Sequence, residues 1–155
     1  MRTLVVYYSR TGITKKVAQK IALELKADIE ELIDMDKRKG ALGYLKSGRE
    51  AMGKKLAVIE TLHYNPLDYD LVIVGTPNWA STMASAVRTY LSDQKGKIKQ
   101  AAFFVTQGSS GGEKVIRSMI ELSGVEARAE LVLTSKESVQ DNYQEKFAQF
   151  IEKVK

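Results

Sequence analysis

The chain has 155 residues, of which 44% are hydrophobic and 28% charged, and it contains no cysteine. This length suits one domain, 1–155, with an ordinary buried core. Without cysteine there are no disulfides, thiolate metal sites or cysteine nucleophiles, so any redox role requires a bound cofactor. No apolar run reaches the roughly 20 residues that span a bilayer. Residues 1–8 do not read as a signal peptide, so we expect a cytoplasmic protein without a membrane partner.

The net charge of +5 is concentrated in one stretch of the chain. Residues 36–55 contain seven basic residues and two acidic ones, which accounts for the whole excess. Such a patch can bind nucleic acid or an anionic membrane, steer an acidic protein partner, or form a solvated helix face. Within residues 37–55 only Tyr44 interleaves the charges, which leaves nucleic-acid binding without support.

The pattern of apolar residues predicts an alternation of strands and helices. A β-rich run indicates a first strand buried on both faces, and helical spacing from Thr14 to Leu25 indicates the first helix. The further predicted elements are strands at 27–33, 71–75, 101–105 and 129–133, helices at 84–91, 113–122 and 142–154, and helical material at 41–52 within a long connection. Five strands alternating with helices predict an α/β fold with a parallel sheet and helices on both faces.

The loop after the first predicted strand has the composition of an anion site. In open parallel sheets ligands bind beyond the carboxyl ends of the strands. At a helix N-terminus, N–H groups and the helix dipole attract anions, hydroxyls donate to phosphate oxygens, and glycine lets the backbone approach closely. The loop lacks the endings of triphosphate and dinucleotide loops, so a terminal monophosphate fits better. The alternative is that Ser9 or Thr11 only caps the helix. The loop consists of Ser9, Arg10, Thr11, Gly12, Ile13 and Thr14.

Two further loops follow the third and fourth predicted strands. The only tryptophan, Trp79, is a candidate platform for a planar ring, with simple packing as the alternative. Glycine and serine in the later loop allow the backbone to approach a flat ligand edge, although Ser110 can equally cap the next helix. We interpret His63 as a surface-loop residue rather than a general acid. The two loops consist of Thr76, Pro77, Asn78, Trp79 and Ala80, and of Thr106, Gln107, Gly108, Ser109, Ser110, Gly111 and Gly112.

Taken together, the three loops resemble those of the flavodoxin family, in order and spacing over essentially the whole chain. The resemblance implies a flavodoxin-like three-layer sandwich with five strands in the order 2-1-3-4-5, in the short-chain form, and one non-covalent flavin mononucleotide (FMN). It makes residues 9–14 the phosphate loop, 76–80 the first ring loop and 106–112 the second ring loop. By the resemblance, Trp79 packs beside the isoalloxazine, the backbone of Gln107 and Gly108 reaches the pyrimidine edge, and Arg10 either reaches the phosphate or is solvated. The phosphate ligands it implies are Ser9, Thr11, Gly12, Ile13 and Thr14.

Two departures from the family bear on function. Electron-carrier flavodoxins are usually acidic, whereas this chain has a pI of about 9.3. Their second ring loop commonly offers a tyrosine over the flavin, and residues 106–112 contain none, which predicts an open flavin face.

We predict an FMN-binding redox protein in electron transfer, a monomer or weak dimer, whose redox partner proteins dock near the basic segment 37–55. The alternative is an FMN-dependent NAD(P)H quinone or nitro-compound reductase. A third class is a flavin-free signalling or binding module. A phosphoacceptor domain of this topology needs an aspartate at the end of the third strand, where this chain has Gly75 and Thr76. We assign no catalytic residue and no metal ligand.

Overall fold

The computed structural model describes residues 1–35 and 56–155. The predicted helix at 41–52 and the basic segment 37–55 lie outside the described residues. The described elements, in chain order, are β1 (Thr3–Tyr7), α1 (Ile13–Leu25), β2 (Asp28–Glu31), a 3₁₀ turn (Pro66–Asp68), β3 (Leu71–Trp79), β4 (Thr82–Met83), α2 (Ser85–Asp93), β5 (Ala101–Gln107), α3 (Gly112–Ser123), β6 (Ala127–Thr134), α4 (Ser135–Gln140) and α5 (Gln144–Val154).

The main strands form one parallel sheet in the order β2-β1-β3-β5-β6, and β4 pairs antiparallel with β3. This confirms the order 2-1-3-4-5 for the five predicted strands. Because the five strands are parallel, the loops that follow β1, β3 and β5 leave the sheet at the same edge. The flavodoxin-like fold therefore brings the three predicted loops together.

The core consists of two apolar layers, one on each face of the sheet. On one face Val17 and Ile21 of α1 pack with Phe150 of α5. On the other face Val87 of α2 packs with Met119 of α3. The central strands face both layers, which is why their sequences are apolar without alternation. Of the described helices, none is long and apolar enough to cross a membrane.

Strand β3 is longer than predicted and includes most of the first ring loop. The apolar pattern predicts the strand at 71–75, whereas the strand continues to Trp79 through Pro77. Strand β1 ends opposite Gly75, so beyond that residue β3 has no neighbour on the β1 side. Proline is tolerated on such an edge because no ladder hydrogen bond is lost there. Strand β5 likewise continues through Thr106 and Gln107.

Two short elements were not predicted. Strand β4 has only two residues, too few for an alternating pattern. Helix α4 is six residues long and mostly polar, and it begins with a capping box between Thr134 and Glu137. The Thr134 side chain accepts from the Glu137 N–H at 3.1 Å, and the Glu137 carboxylate accepts from the Thr134 N–H at 2.8 Å. Such reciprocal capping stabilises the helix, which is too short to be stable by itself.

Candidate functional site

A cavity of about 160 Å³ opens where the loops after β1, β3 and β5 meet. This volume is below the roughly 300–1,000 Å³ of pockets that bury a whole drug-sized ligand. A cavity of this size can enclose only part of a ligand that large. Its lining residues are Arg10, Thr11, Ile13, Thr14, Pro77, Asn78, Trp79, Thr106, Gln107, Gly108 and Ser135.

The phosphate loop presents unpaired backbone donors at the start of α1. Gly12 has a φ of 94°, which favours glycine, and no atom lies within 4 Å of the position that a Cβ there would take. The Gly12 N–H donates to the Ser9 hydroxyl at 3.1 Å, so Ser9 shapes the loop as the capping alternative requires. Within the described part of the chain, the N–H groups of Thr11, Ile13 and Thr14 have no acceptor. Three free donors and open space at a helix N-terminus suit an anion.

The phosphate loop and the second ring loop are joined by a buried hydroxyl pair. The Oγ1 atoms of Thr14 and Thr106 lie 2.8 Å apart, and either can be the donor. Thr14 is 2% exposed and Thr106 is 3% exposed. The pair holds the start of α1 against the end of β5, so that the cavity between them has a fixed wall.

The first ring loop forms a tight hairpin that carries Trp79. Trp79 pairs with Thr82 of β4, and the two residues between them, Ala80 and Ser81, have φ angles of 50° and 62°. A two-residue hairpin with positive φ at both central positions usually contains Asn and Gly. Alanine and serine there store backbone strain, which is common beside functional sites.

The two ring loops are held together by Asn78. Its Nδ2 donates to the Ser110 carbonyl at 2.8 Å. A Cβ on Gly111 would lie 3.0 Å from the same Nδ2, and Gly111 has a φ of 95°, so the close approach requires glycine. The predicted ring loops therefore form one rigid rim beside the cavity.

Gln107 uses its side chain to shape the second ring loop. Its Oε1 accepts from the Gly112 N–H at 2.7 Å, which satisfies a donor at the start of α3. Its backbone carbonyl accepts from the Ser135 hydroxyl at 3.1 Å. Gly108, the next residue, is exposed and lines the cavity. The predicted backbone contact from Gln107 and Gly108 to the pyrimidine edge stays a prediction.

The charged side chains that line this edge are basic. Among the described residues, Arg10 is the only charged residue in the lining of the 160 Å³ cavity. A groove of about 280 Å³ on the other side of the phosphate loop is lined by Thr11, Gly12, Ile13, Lys16, Ser138 and Val139, and Lys16 is the only charged residue in this described lining. A basic lining of this kind suits an anionic ligand.

Ten of the predicted site residues line the 160 Å³ cavity. Gly12 lines the 280 Å³ groove instead. Six others belong to the same loops without lining either space, namely Ser9, Thr76, Ala80, Ser109, Gly111 and Gly112. Sequence reasoning missed Ser135, although it directly follows β6 and the strand-end rule that selected the other loops would have found it.

Other features of the described chain lie away from this edge. His63 is 81% exposed, and its Nδ1 lies 2.8 Å from a carboxylate oxygen of the buried Glu30, which agrees with a surface-loop residue. A larger open groove of about 690 Å³ lies between the loops that precede β5 and β6. That groove is at the amino ends of the strands, where open α/β sheets do not place their ligands.

Comparison with known sequences gives one family. The sequence profile described as flavodoxin matches residues 2–126. A search of curated protein sequences found no significant match.

Solved structures share the fold along most of the chain. A flavoprotein in complex with FMN from Lactobacillus acidophilus NCFM is 24% identical, covering 93% of this chain and 99% of its own, with a TM-score of 0.70. The two-electron reduced flavodoxin of Megasphaera elsdenii is 14% identical, covering 99% of both chains, with a TM-score of 0.59. The apo form of an NADH:FMN oxidoreductase is 16% identical, covering 99% of this chain and 87% of its own, with a TM-score of 0.59. At these identities the likeness establishes the fold.

Proposed function

This chain belongs to the flavodoxin family, and from that premise we propose that it binds FMN at the cavity of about 160 Å³ and transfers electrons between redox proteins. The observation that carries the proposal is the convergence of three loops on one cavity. One of those loops offers three backbone N–H groups that have no acceptor among the described residues. The similar flavoprotein from Lactobacillus acidophilus was solved in complex with FMN, which supports the same ligand here.

The residues present fit the phosphate of FMN. Oxygens of a terminal phosphate would accept from the N–H groups of Thr11, Ile13 and Thr14, which have no acceptor among the described residues. The Thr14 hydroxyl can add a donor when Thr106 donates to it, because each hydroxyl has one proton. The open space at Gly12 admits the ligand without a clash.

The residues also fit a planar ring at the rim. Trp79 is partly buried at the end of β3 and lines the cavity, so its ring can pack against an aromatic ligand. The second ring loop contributes exposed backbone at Gly108, Ser109 and Ser110. In the described chain no acceptor is assigned to the N–H groups of these three residues, and donors of this kind suit the carbonyl edge of a flavin.

Electron transfer is the function we propose for the bound flavin. Bound FMN supplies the redox couple that the side chains of a cysteine-free chain lack. The chain's own residues would hold the phosphate at the start of α1 and orient the ring at the rim of the cavity. Arg10 and Lys16 place positive charge near the phosphate loop, which favours binding of the anionic cofactor.

A reductase acting on quinones or nitro compounds with a nicotinamide donor is the second candidate. The observation that favours it is the small size of the cavity together with a second ring loop that contains no aromatic residue. Such a rim leaves room beside the ring for a second substrate. An NADH:FMN oxidoreductase shares the fold.

Two measurements on the purified protein separate these functions. An absorption spectrum with flavin bands, either as purified or after FMN addition, is expected for both candidates, and its absence would leave a flavin-free module. Steady oxidation of NADPH or NADH is then followed with several quinones and nitro compounds. A carrier shows no steady turnover without a partner protein, whereas turnover by the protein alone supports the reductase.

A further inference from the structure

Tyr8 directly follows β1, immediately before the phosphate loop, and its ring packs against Trp79 of the first ring loop. Its N–H donates to the Gly75 carbonyl at 3.2 Å, and its side chain is only 5% exposed. The Tyr8 ring packs edge-on against Trp79, with ring centroids 5.5 Å apart and planes at 78°. This is the favourable T-shaped arrangement of an aromatic pair. The contact fixes one side of the indole that the proposed function places beside the flavin.

Charged side chains lie near the hydroxyl end of Tyr8. The Arg10 guanidinium and the Asp34 carboxylate are both close enough to act on the pKa of the Tyr8 hydroxyl. Burial first, and then Asp34, raise the pKa of Tyr8, whereas Arg10 lowers it, and the net change is upward. Tyr8 therefore stays protonated at neutral pH. Asp34 is 4% exposed, so the cluster is anchored in the protein.

Arg10 and Trp79 both line the cavity; the Tyr8 ring packs against Trp79, and the Tyr8 hydroxyl lies near Arg10. We propose that Tyr8 is a positioning residue that holds Trp79 and Arg10 in place and thereby couples the ring end of the FMN site to its phosphate end. This inference rests on the proposed function, because it concerns the same site. Tyr8 itself is not among the lining residues, so it acts through its two neighbours.

The two neighbours of Tyr8 predict different effects for two substitutions. Tyr8→Phe keeps the ring against Trp79 but removes the hydroxyl that lies near Arg10. Its FMN affinity should fall by about threefold or more, with riboflavin affinity unchanged, because only FMN has the phosphate. Tyr8→Leu removes the ring as well. It should weaken both flavins and shift the emission of Trp79, the only tryptophan in the chain.

A double-mutant cycle distinguishes a positioning role of Tyr8 from a merely structural one, for which the effects on FMN affinity would simply multiply. In FMN binding, the combined effect of Tyr8→Leu and Trp79→Phe should differ from the product of the single effects by about threefold or more. Tyr64→Leu is the matched control, since Tyr64 forms a similar edge-on pair with Tyr69, with centroids 6.2 Å apart, and is not among the residues lining the cavity. This control should keep both flavin affinities at the wild-type value.

The experiment is a titration of each apo protein with FMN and with riboflavin, after urea denaturation has shown that each variant is folded. Tyr8→Phe keeps the inference testable if Tyr8→Leu does not fold. The inference would be overturned if Tyr8→Phe kept the wild-type affinities for both flavins and the effects in the cycle were multiplicative. If Tyr8→Leu did not fold, wild-type affinities for both flavins in Tyr8→Phe would alone overturn it. Failure of the wild-type protein to bind FMN would instead overturn the proposed function, and the inference with it.

Discussion

The side-chain oxygens of Thr14 and Thr106 lie 2.8 Å apart although 92 residues separate them in the chain. The contact joins the first turn of α1 to the last part of β5. It is one of the contacts that hold separate loops together at one edge of the parallel sheet. Both hydroxyls are buried, so each depends on the other for a hydrogen bond. This dependence makes the pair a direct test of the site.

Replacing one threonine of the pair should cost more than replacing both. Thr14→Val leaves the buried Thr106 hydroxyl without its partner, and an unsatisfied buried group costs about 1–3 kcal/mol in the free energy of unfolding. The double variant Thr14→Val/Thr106→Val removes both hydroxyls at nearly constant volume and should be closer to the wild type. Urea denaturation of the apo proteins measures this difference. A double variant as unstable as the sum of the single variants would contradict the pairing.

Relieving the strain in the first ring loop should stabilise the protein. Ala80 and Ser81 have positive φ angles, which cost an L-residue roughly 1–2 kcal/mol each. Glycine avoids this cost, but it also makes the unfolded chain more flexible, which offsets part of the gain. Ala80→Gly or Ser81→Gly should therefore raise the free energy of unfolding by about 0.5–1 kcal/mol. Thermal denaturation checks the sign. Ser81→Ala keeps a residue with a Cβ at the positive-φ position, so it serves as the control and should give no gain.

Replacement of Gly75 and of Gly108 by alanine should have different effects on the free energy of unfolding. At Gly75 a Cβ would lie 1.9 Å from the Phe104 ring, whereas at Gly108 no atom lies within 4 Å. Gly75→Ala should lower the free energy of unfolding by about 3 kcal/mol or prevent folding, because the core cannot admit the extra methyl group. Gly108→Ala should leave the apo stability nearly unchanged and weaken FMN binding. Equal stability of the two variants would contradict the packing of β3 on β5.

The start of α4 should add a pH-dependent part to the stability. Glu137 accepts from Lys146 at 2.7 Å and from the Thr134 N–H at 2.8 Å, and these hydrogen bonds hold the pKa of Glu137 below its ordinary value of 4.5. A carboxyl group with a lowered folded pKa stabilises the fold above its unfolded pKa and loses that contribution as the pH falls through the folded pKa. The wild type should therefore exceed Glu137→Gln in stability at pH 7. The gap should close as the pH falls below 4.5, and a gap independent of pH would contradict the assignment.

The sequence was sufficient for the order of the sheet and for the prediction that three loops meet at one edge of it. The buried strands are continuous apolar runs, and the carboxyl-end rule then selects residues 9–14, 76–80 and 106–112 as neighbours. The limits of the elements were less predictable. Proline usually ends a strand, whereas Pro77 is tolerated within β3 because it lies at a free edge. Contacts such as that of Tyr8 with Trp79 depend on how distant strands twist and pack, and no local pattern encodes them.

The central claim is that residues 9–14 bind the phosphate of FMN. The most direct measurement compares the affinities of the apo protein for FMN and for riboflavin, which differ only in that phosphate, with inorganic phosphate as a competitor. We predict that FMN binds at least about tenfold more tightly, as charge-assisted hydrogen bonds to the free N–H groups require, and that inorganic phosphate reduces the difference. Equal affinities for FMN and riboflavin would contradict the account.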